Sequence, residues 1–231
     1  MKADRISSGI PGLDKLIEGG FKGGSINLVC GGAGSGKTTF AVQFLLEGLK
    51  KGEAGIYITF EEKRDKLYED MRDFGWDMEQ YEKAGIFKFL EYTPEQIRHV
   101  LVEGGGTVDA IITQMGAKRL VIDSITSFSL LFQDELTKKE SSLALFELIN
   151  RWGCTAVLTS EAIQMAQEDM SVTLQFEVDS IIILYHFKKE GVRTRAIEIL
   201  KMRGTKTPEK VMRLTIEKEG ITVNPNQIVA V

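Results

Sequence analysis

Short, strongly apolar runs alternate along the chain with longer segments whose apolar residues return every third or fourth position. The run "SINLVC" (25–30) passes at once into glycines and then into "KTTFAVQFLLEGLKKG", where Phe40, Phe44, Leu45 and Leu49 keep helical spacing and Gly52 is a stop. That order predicts strand, glycine loop, helix. "AGIYITF" (54–60) is β-branched and aromatic and predicts a strand, while "EEKRDKLYEDMRDFGW" after it sets Leu67, Met71 and Phe74 on one helical face. "GIFKFLEY" (85–92) predicts another strand. Between Pro94 and Gly116 the period is helical but broken by Gly104, Gly105 and Gly106; with no buried strand before them, these glycines read as a helix break rather than a second ligand loop.

"RLVIDS" (119–124) predicts a buried strand ending in an aspartate, residues 138–153 a helix, and "CTAVLTSE" (154–161) the next strand. The rhythm then changes. Residues 179–204 and 210–223 read as successive strands with turns at Glu190–Gly191 and Glu219–Gly220. Strands alternating with helices and then a strand-rich tail predict an α/β fold, its sheet mainly parallel, flanked by helices and carrying a C-terminal antiparallel extension.

Composition narrows this picture. No composition break or linker divides the 231 residues, so the expectation is one domain over 1–231. The N-terminus has no apolar stretch of signal-peptide length, and no run reaches the 18 or so apolar residues that cross a bilayer. A cytoplasmic protein without a membrane partner is expected. The two cysteines, Cys30 and Cys154, each lie inside an apolar run and read as buried, reduced thiols. A formal charge of -4 argues against binding nucleic acid through overall charge. The apolar tail "QIVAV" (227–231) is expected to pack on the core or on a neighbouring molecule.

The glycine loop carries the chemistry. "GGAGSGKT", with Gly31, Gly32, Ala33, Gly34, Ser35, Gly36, Lys37 and Thr38, fits G-x-x-x-x-G-K-[ST] in full, between a predicted strand and helix. Glycines let backbone N–H groups turn inward around phosphate oxygens, and the helix that follows presents its positive end there, with Thr39 in its first turn. Lys37 would meet the β and γ phosphates of a nucleotide, and the Thr38 hydroxyl would ligate Mg2+. Asp123, at the end of its strand, has the character of a carboxylate holding that Mg2+ through water; a helix N-cap or a solvated turn residue is the plainer alternative. Glu61 and Glu62 close a strand and open a helix. They are either first-turn acids favoured by the helix dipole or carboxylates that activate the attacking water. Ser160 is a candidate sensor of the γ-phosphate or a buried strand-end serine.

Residues 6–45, "ISSGIPGLDKLIEGGFKGGSINLVCGGAGSGKTTFAVQFL", resemble the start of a KaiC-type domain of the RecA superfamily. "FEEK", "RDFGWD" (72–77), "GAKRLVIDSIT" (116–126), "LTSE" and "LKMRGTKT" (200–207) extend the resemblance in family order over nearly the whole chain. The resemblance implies a RecA-like P-loop NTPase core, ATP held between subunits of a ring, commonly a hexamer, and slow hydrolysis. It favours Glu61 as the water-activating carboxylate with Glu62 assisting. It also makes Lys201 and Arg203 candidates to reach a neighbour's γ-phosphate, with Thr205 adding a hydroxyl contact. In that sheet order Cys30 and Cys154 are expected at opposite strand ends.

The chain departs from the circadian KaiC proteins in carrying one such domain, so a clock role and autokinase activity do not transfer. A DNA-acting relative is the competing comparison, yet residues 161–179 hold five acidic residues and no Lys or Arg, a balance that a phosphate backbone repels. Nucleic acid is therefore not an expected partner; further copies of the chain and an unidentified protein are. A nucleotide-sensing module with negligible hydrolysis is the second reading, and a small-molecule kinase the third.

Overall fold

The computed structural model describes residues 4–129, 132, 134–161, 177–189 and 191–230. A small antiparallel pair, β1 (Arg5–Ile6) and β2 (Phe21–Lys22), encloses the short α1 (Leu13–Leu16), none of which the hydrophobic pattern predicts. The main body then runs β3 (Ile26–Gly31), α2 (Lys37–Lys50), β4 (Gly55–Thr59), α3 (Arg64–Asp73), α4 (Met78–Lys83) and β5 (Phe87–Glu91). It continues through α5 (Pro94–Val102), α6 (Gly106–Met115), β6 (Arg119–Asp123), α7 (Ile125–Ser129), α8 (Glu135–Trp152) and β7 (Thr155–Ser160). Four strands close the chain: β8 (Ser180–Lys189), β9 (Val192–Met202), β10 (Met212–Glu217) and β11 (Gly220–Ile228).

Among the described residues the strands form a sheet in the order β11-β10-β9-β8-β3-β7-β6-β4-β5. The pairings from β8 to β5 are parallel and those from β8 to β11 antiparallel, as the change of rhythm predicts. The central strands are apolar on both faces because both faces are covered. Val29, Tyr57, Val121 and Val157 point to the side packed by α2, while Leu28, Ile56, Leu120 and Leu158 point to the side packed by α5, α6 and α8. In α2, Phe40 and Phe44 are fully buried, worth about 1.5–3 kcal/mol each relative to exposure. Among the described residues, no helix is long and apolar enough to cross a membrane.

Local chemistry explains where the pattern misreads. Glu61 and Glu62 do not open a helix: α3 starts at Arg64, and the Thr59 hydroxyl accepts the N–H groups of both glutamates (3.3 and 3.0 Å), holding them in a turn after β4. A hydroxyl that captures two N–H groups competes with the helical pattern. The helix predicted from 138 begins three residues earlier, where Asp134 accepts from the N–H of Thr137 at 2.8 Å as N-cap. The last turn is Lys218–Glu219, since Glu217 pairs with Gly220. The glycines at 104–106 do divide two helices, α5 and α6.

Cys30 lies in register with Ser160 at one end of β7, whereas Cys154 precedes the other end. Both thiols are buried, and burial pushes them up to about 12 and about 11. Residues 162–176 of the acidic segment, Glu190 of a predicted turn and Val231 of the tail lie outside the described residues. In the tail that is described, the N–H of Val229 donates to the Val211 carbonyl at 2.9 Å, and Ile228 is exposed.

Candidate nucleotide site

Successive parallel strands of this sheet deliver their C-terminal ends to one edge, where ligands gather in open α/β folds. The glycine loop leaves β3 at that edge and enters the 14-residue α2 at Lys37. Gly36 has φ 103°, and a Cβ there would stand 2.6 Å from the Ile216 side chain, so the loop needs glycine both for its turn and for its packing. The antiparallel extension thus backs the loop. On its outer side the Arg195 guanidinium donates to the Gly34 carbonyl at 3.0 Å, and His186 Nδ1 lies 3.4 Å from the Ala33 carbonyl.

Inside the loop, Lys37 Nζ donates to the carbonyls of Gly31 (2.8 Å) and Gly32 (3.2 Å). Its cation is therefore held at the mouth of the cradle. The Ser35 hydroxyl is buried and has no partner among the described residues. Thr39, in the first turn of α2, is half-buried.

Asp123 is the hub of the site. Its Oδ2 accepts from Thr38 Oγ1 at 2.8 Å and from Tyr57 Oη at 2.7 Å, and its Oδ1 accepts from Thr159 Oγ1 at 2.5 Å. Burial, and then the Asp123 charge, push the Tyr57 phenol well above its ordinary value, so it remains a donor. The N-cap reading of Asp123 does not apply, because these partners come from α2, β4 and β7 rather than from a following helix.

A cavity of about 140 Å3 opens beside this hub, lined by Lys37, Thr38, Thr59, Glu61, Glu62, Asp123, Ser124 and Glu161. Lys37 is the one cation among those residues, against four carboxylates. Such a cavity repels a bare polyanion and suits one accompanied by cations. The hydroxyl of Thr38 and the carboxylate of Asp123 are hard oxygen donors 2.8 Å apart, the chemistry that Mg2+ takes. Larger cavities lie elsewhere, including one of about 490 Å3 between α5 and α8. None of the loop residues lines that one, so its size is no guide to the chemistry.

Ser160 is fully buried, and its hydroxyl lies 3.1 Å from Thr126 Oγ1, which also accepts the N–H of Glu161 at 3.0 Å. Glu161, rather than Ser160, lines the cavity from the end of β7. Sequence reasoning passed over Tyr57, Thr159, Thr59 and Glu161. The signal available for the first two was alternation: Tyr57 and Thr159 each fall on the Asp123 face of their strand.

Lys201, Arg203 and Thr205 are not brought to this edge. Gly31 is level with Leu184 on β8, whereas Lys201 is level with Ile181 and Met202 with Ser180, towards the opposite end of the strands. Lys201 Nζ donates to the Val178 carbonyl at 2.9 Å, Arg203 lies 3.9 Å from Asp179, and Thr205 Oγ1 accepts from Arg5 at 3.0 Å. Burial, and then the Arg203 charge, hold the Lys201 ammonium below its ordinary value.

Known proteins match this chain over nearly its whole length. The sequence model of a family described as "ATPase: KaiC" matches residues 6–228. The circadian clock protein KaiC3 of Synechocystis is 33% identical over 96% of this chain, which spans 46% of that relative's length. A UPF0273 protein of Pyrococcus horikoshii, PH0284, is 32% identical over 97% of this chain and 95% of its own. Among solved structures, the KaiC-like protein PH0186 of Pyrococcus horikoshii superposes with a TM-score of 0.87 at 37% identity, covering 96% of this chain and all of the other.

Proposed function

The chain belongs to the KaiC family of ATPases, and from that premise we propose that it is a single-domain, Mg2+-dependent ATPase. In this reading it turns over slowly and works as a hexameric ring with ATP at each subunit boundary. The observation that carries the proposal is the Thr38–Asp123 pair standing between the glycine loop and the paired glutamates Glu61 and Glu62.

The residues divide the work by position. Backbone N–H groups from Gly31 to Thr39 cradle the phosphates, helped by the positive end of α2. Lys37 exchanges its loop carbonyls for β- and γ-phosphate oxygens. Thr38 and Asp123 are the residues that would hold Mg2+, and the ion would supply charge neutralisation on the phosphate oxygens. Glu61 accepts a proton from the water that attacks the γ-phosphorus, and Glu62 assists; ADP leaves with the β–γ bridging oxygen. Thr59 fixes the turn that carries both glutamates. Ser160 does not line the cavity; through Thr126, which also accepts the Glu161 N–H, it would relay a change at the cavity to α7.

The excess of carboxylates in the cavity supports a contribution of cations from outside the chain. Lys201 and Arg203, remote from their own loop, are the candidates in the next copy, with Thr205 as a hydroxyl contact. Release of phosphate is expected to fall to background when Glu61→Gln and Glu62→Gln are combined, with ATP binding kept. Unchanged phosphate release would sink the carboxylate assignment. Tight ATP binding without any phosphate release by the parent chain would point instead to a nucleotide-sensing module. Sizing in solution with and without Mg-ATP tests the ring, and a monomer under both conditions overturns it.

A further inference from the structure

Tyr57 spends a buried hydroxyl on the site without belonging to the glycine-loop motif. Its ring is fully buried on β4, stacked on Phe89 with centroids 5.4 Å apart and planes 9° from parallel. A phenylalanine ring would fill the same stack. What the phenol adds is one donor, aimed at Asp123 Oδ2.

An ionised carboxylate offers about four acceptor positions. Thr38 and Tyr57 take the two on Oδ2, and Thr159 takes one on Oδ1, so three structural elements leave a single acceptor position on Asp123. An oxygen already accepting two hydroxyl protons has no lone pair left to bind a cation directly. The remaining position on Oδ1 is where a cation-bound water would donate. This arrangement matches Mg2+, which dehydrates reluctantly and keeps several waters, and disfavours Ca2+, which gathers more protein oxygens in a looser shell.

We propose that Tyr57 and Thr159 are positioning residues that hold Asp123 one water away from the nucleotide-bound cation and so set a preference for Mg2+ over Ca2+. The inference rests on the reading of the site as an Mg-ATP pocket. The selectivity comes from how many of the Asp123 carboxylate's lone pairs the protein itself occupies. Outer partners of this kind typically change metal affinity by about 10- to 100-fold when removed.

The test is calorimetric titration of Mg2+ and of Ca2+ into ATP-saturated protein, together with ATP affinity in chelator and a thermal melt for each variant. In Tyr57→Phe the Mg2+-over-Ca2+ affinity ratio is expected to fall about tenfold, while metal-free ATP affinity stays near that of the parent and the variant still unfolds cooperatively, at a melting point lowered by the lost hydroxyl–carboxylate bond. A folded Phe variant that keeps its ratio within twofold overturns the proposal. Should that variant not fold, the Thr159 pair decides: Thr159→Val lowers the ratio and Thr159→Ser, which keeps the hydroxyl, preserves it. Equal ratios in the two Thr159 variants would overturn it as well. If the parent chain binds neither cation in the presence of ATP, it is the Mg-ATP reading that fails, a result distinct from an unchanged ratio.

Discussion

Glu47 ties the end of α2 to the N-terminal segment through single contacts. Its Oε1 lies 2.6 Å from Lys51 Nζ, one turn on, and accepts from Ser7 Oγ of the N-terminal segment at 2.9 Å. Burial raises its pKa, but the Lys51 and Ser7 hydrogen bonds together with the Lys51 and Arg119 charges outweigh burial, and the net shift is downward. A lowered folded pKa stabilises the protein above the unfolded value, 4.5, and that contribution is lost as pH falls through the folded value. Glu47→Gln is therefore expected to melt below the parent at pH 7, the two melting curves converging as the pH drops beneath 4.5. Arg119 is the most deeply buried cation among the described residues, 1% exposed. It bonds Glu53 at 2.7 Å and the carbonyls of Ser7 and Phe44, each at 2.8 Å, and lies over the Phe44 ring. Truncation strands a carboxylate and two carbonyls, so Arg119→Ala is expected to lose about 3–5 kcal/mol in urea unfolding. No spacing rule singles out this arginine; only the fold brings residues 7, 44 and 53 to it.

At the scale of elements, the central strands β3, β4, β6 and β7 were legible because each is a short apolar run buried on both faces, and period and length suffice to read such a run. Short or capped pieces were harder. The six-residue α4 lies where the pattern predicts nothing, set by Asp77, whose carboxylate accepts from the N–H groups of Glu79 (3.1 Å) and Gln80 (3.3 Å). At α5 the Thr93 hydroxyl accepts the Gln96 N–H while the Gln96 side chain accepts the Thr93 N–H, with Pro94 at the first helical position. Thr93→Ala is expected to cost about 1 kcal/mol, seen as a melting point lowered by about 2–4 °C. Loss beyond that would mean the cap also holds α5 against the core. The glutamate turn illustrates the opposite competition: acidic residues after a strand look like a helix start, but the Thr59 hydroxyl claims their N–H groups first.

For the whole molecule, the consequence of the topology is that β9 runs antiparallel to the strand beside the glycine loop, carrying the basic stretch away from its own site. Arg203→Ala is accordingly expected to keep ATP binding and lose most hydrolysis. Mixing it with a chain carrying Glu61→Gln and Glu62→Gln should restore part of the phosphate release, since one boundary in the mixture combines an intact arginine with intact glutamates. Absence of both effects would leave Lys201 and Arg203 with the local contacts to Val178 and Asp179 described above.

The phosphate loop, the alternation of strands and helices and the family are properties of the sequence alone. They depend on consecutive residues, and a glycine-rich turn between a strand and a helix has few other uses. The convergence of Thr38, Tyr57 and Thr159 on Asp123 was decided only by tertiary structure, as was the backing of the loop by Ile216 and Arg195. Those partners lie on separate strands and helices, and hydrogen bonds between them exist only once sheet order and register have brought the chain's distant segments within about 3 Å.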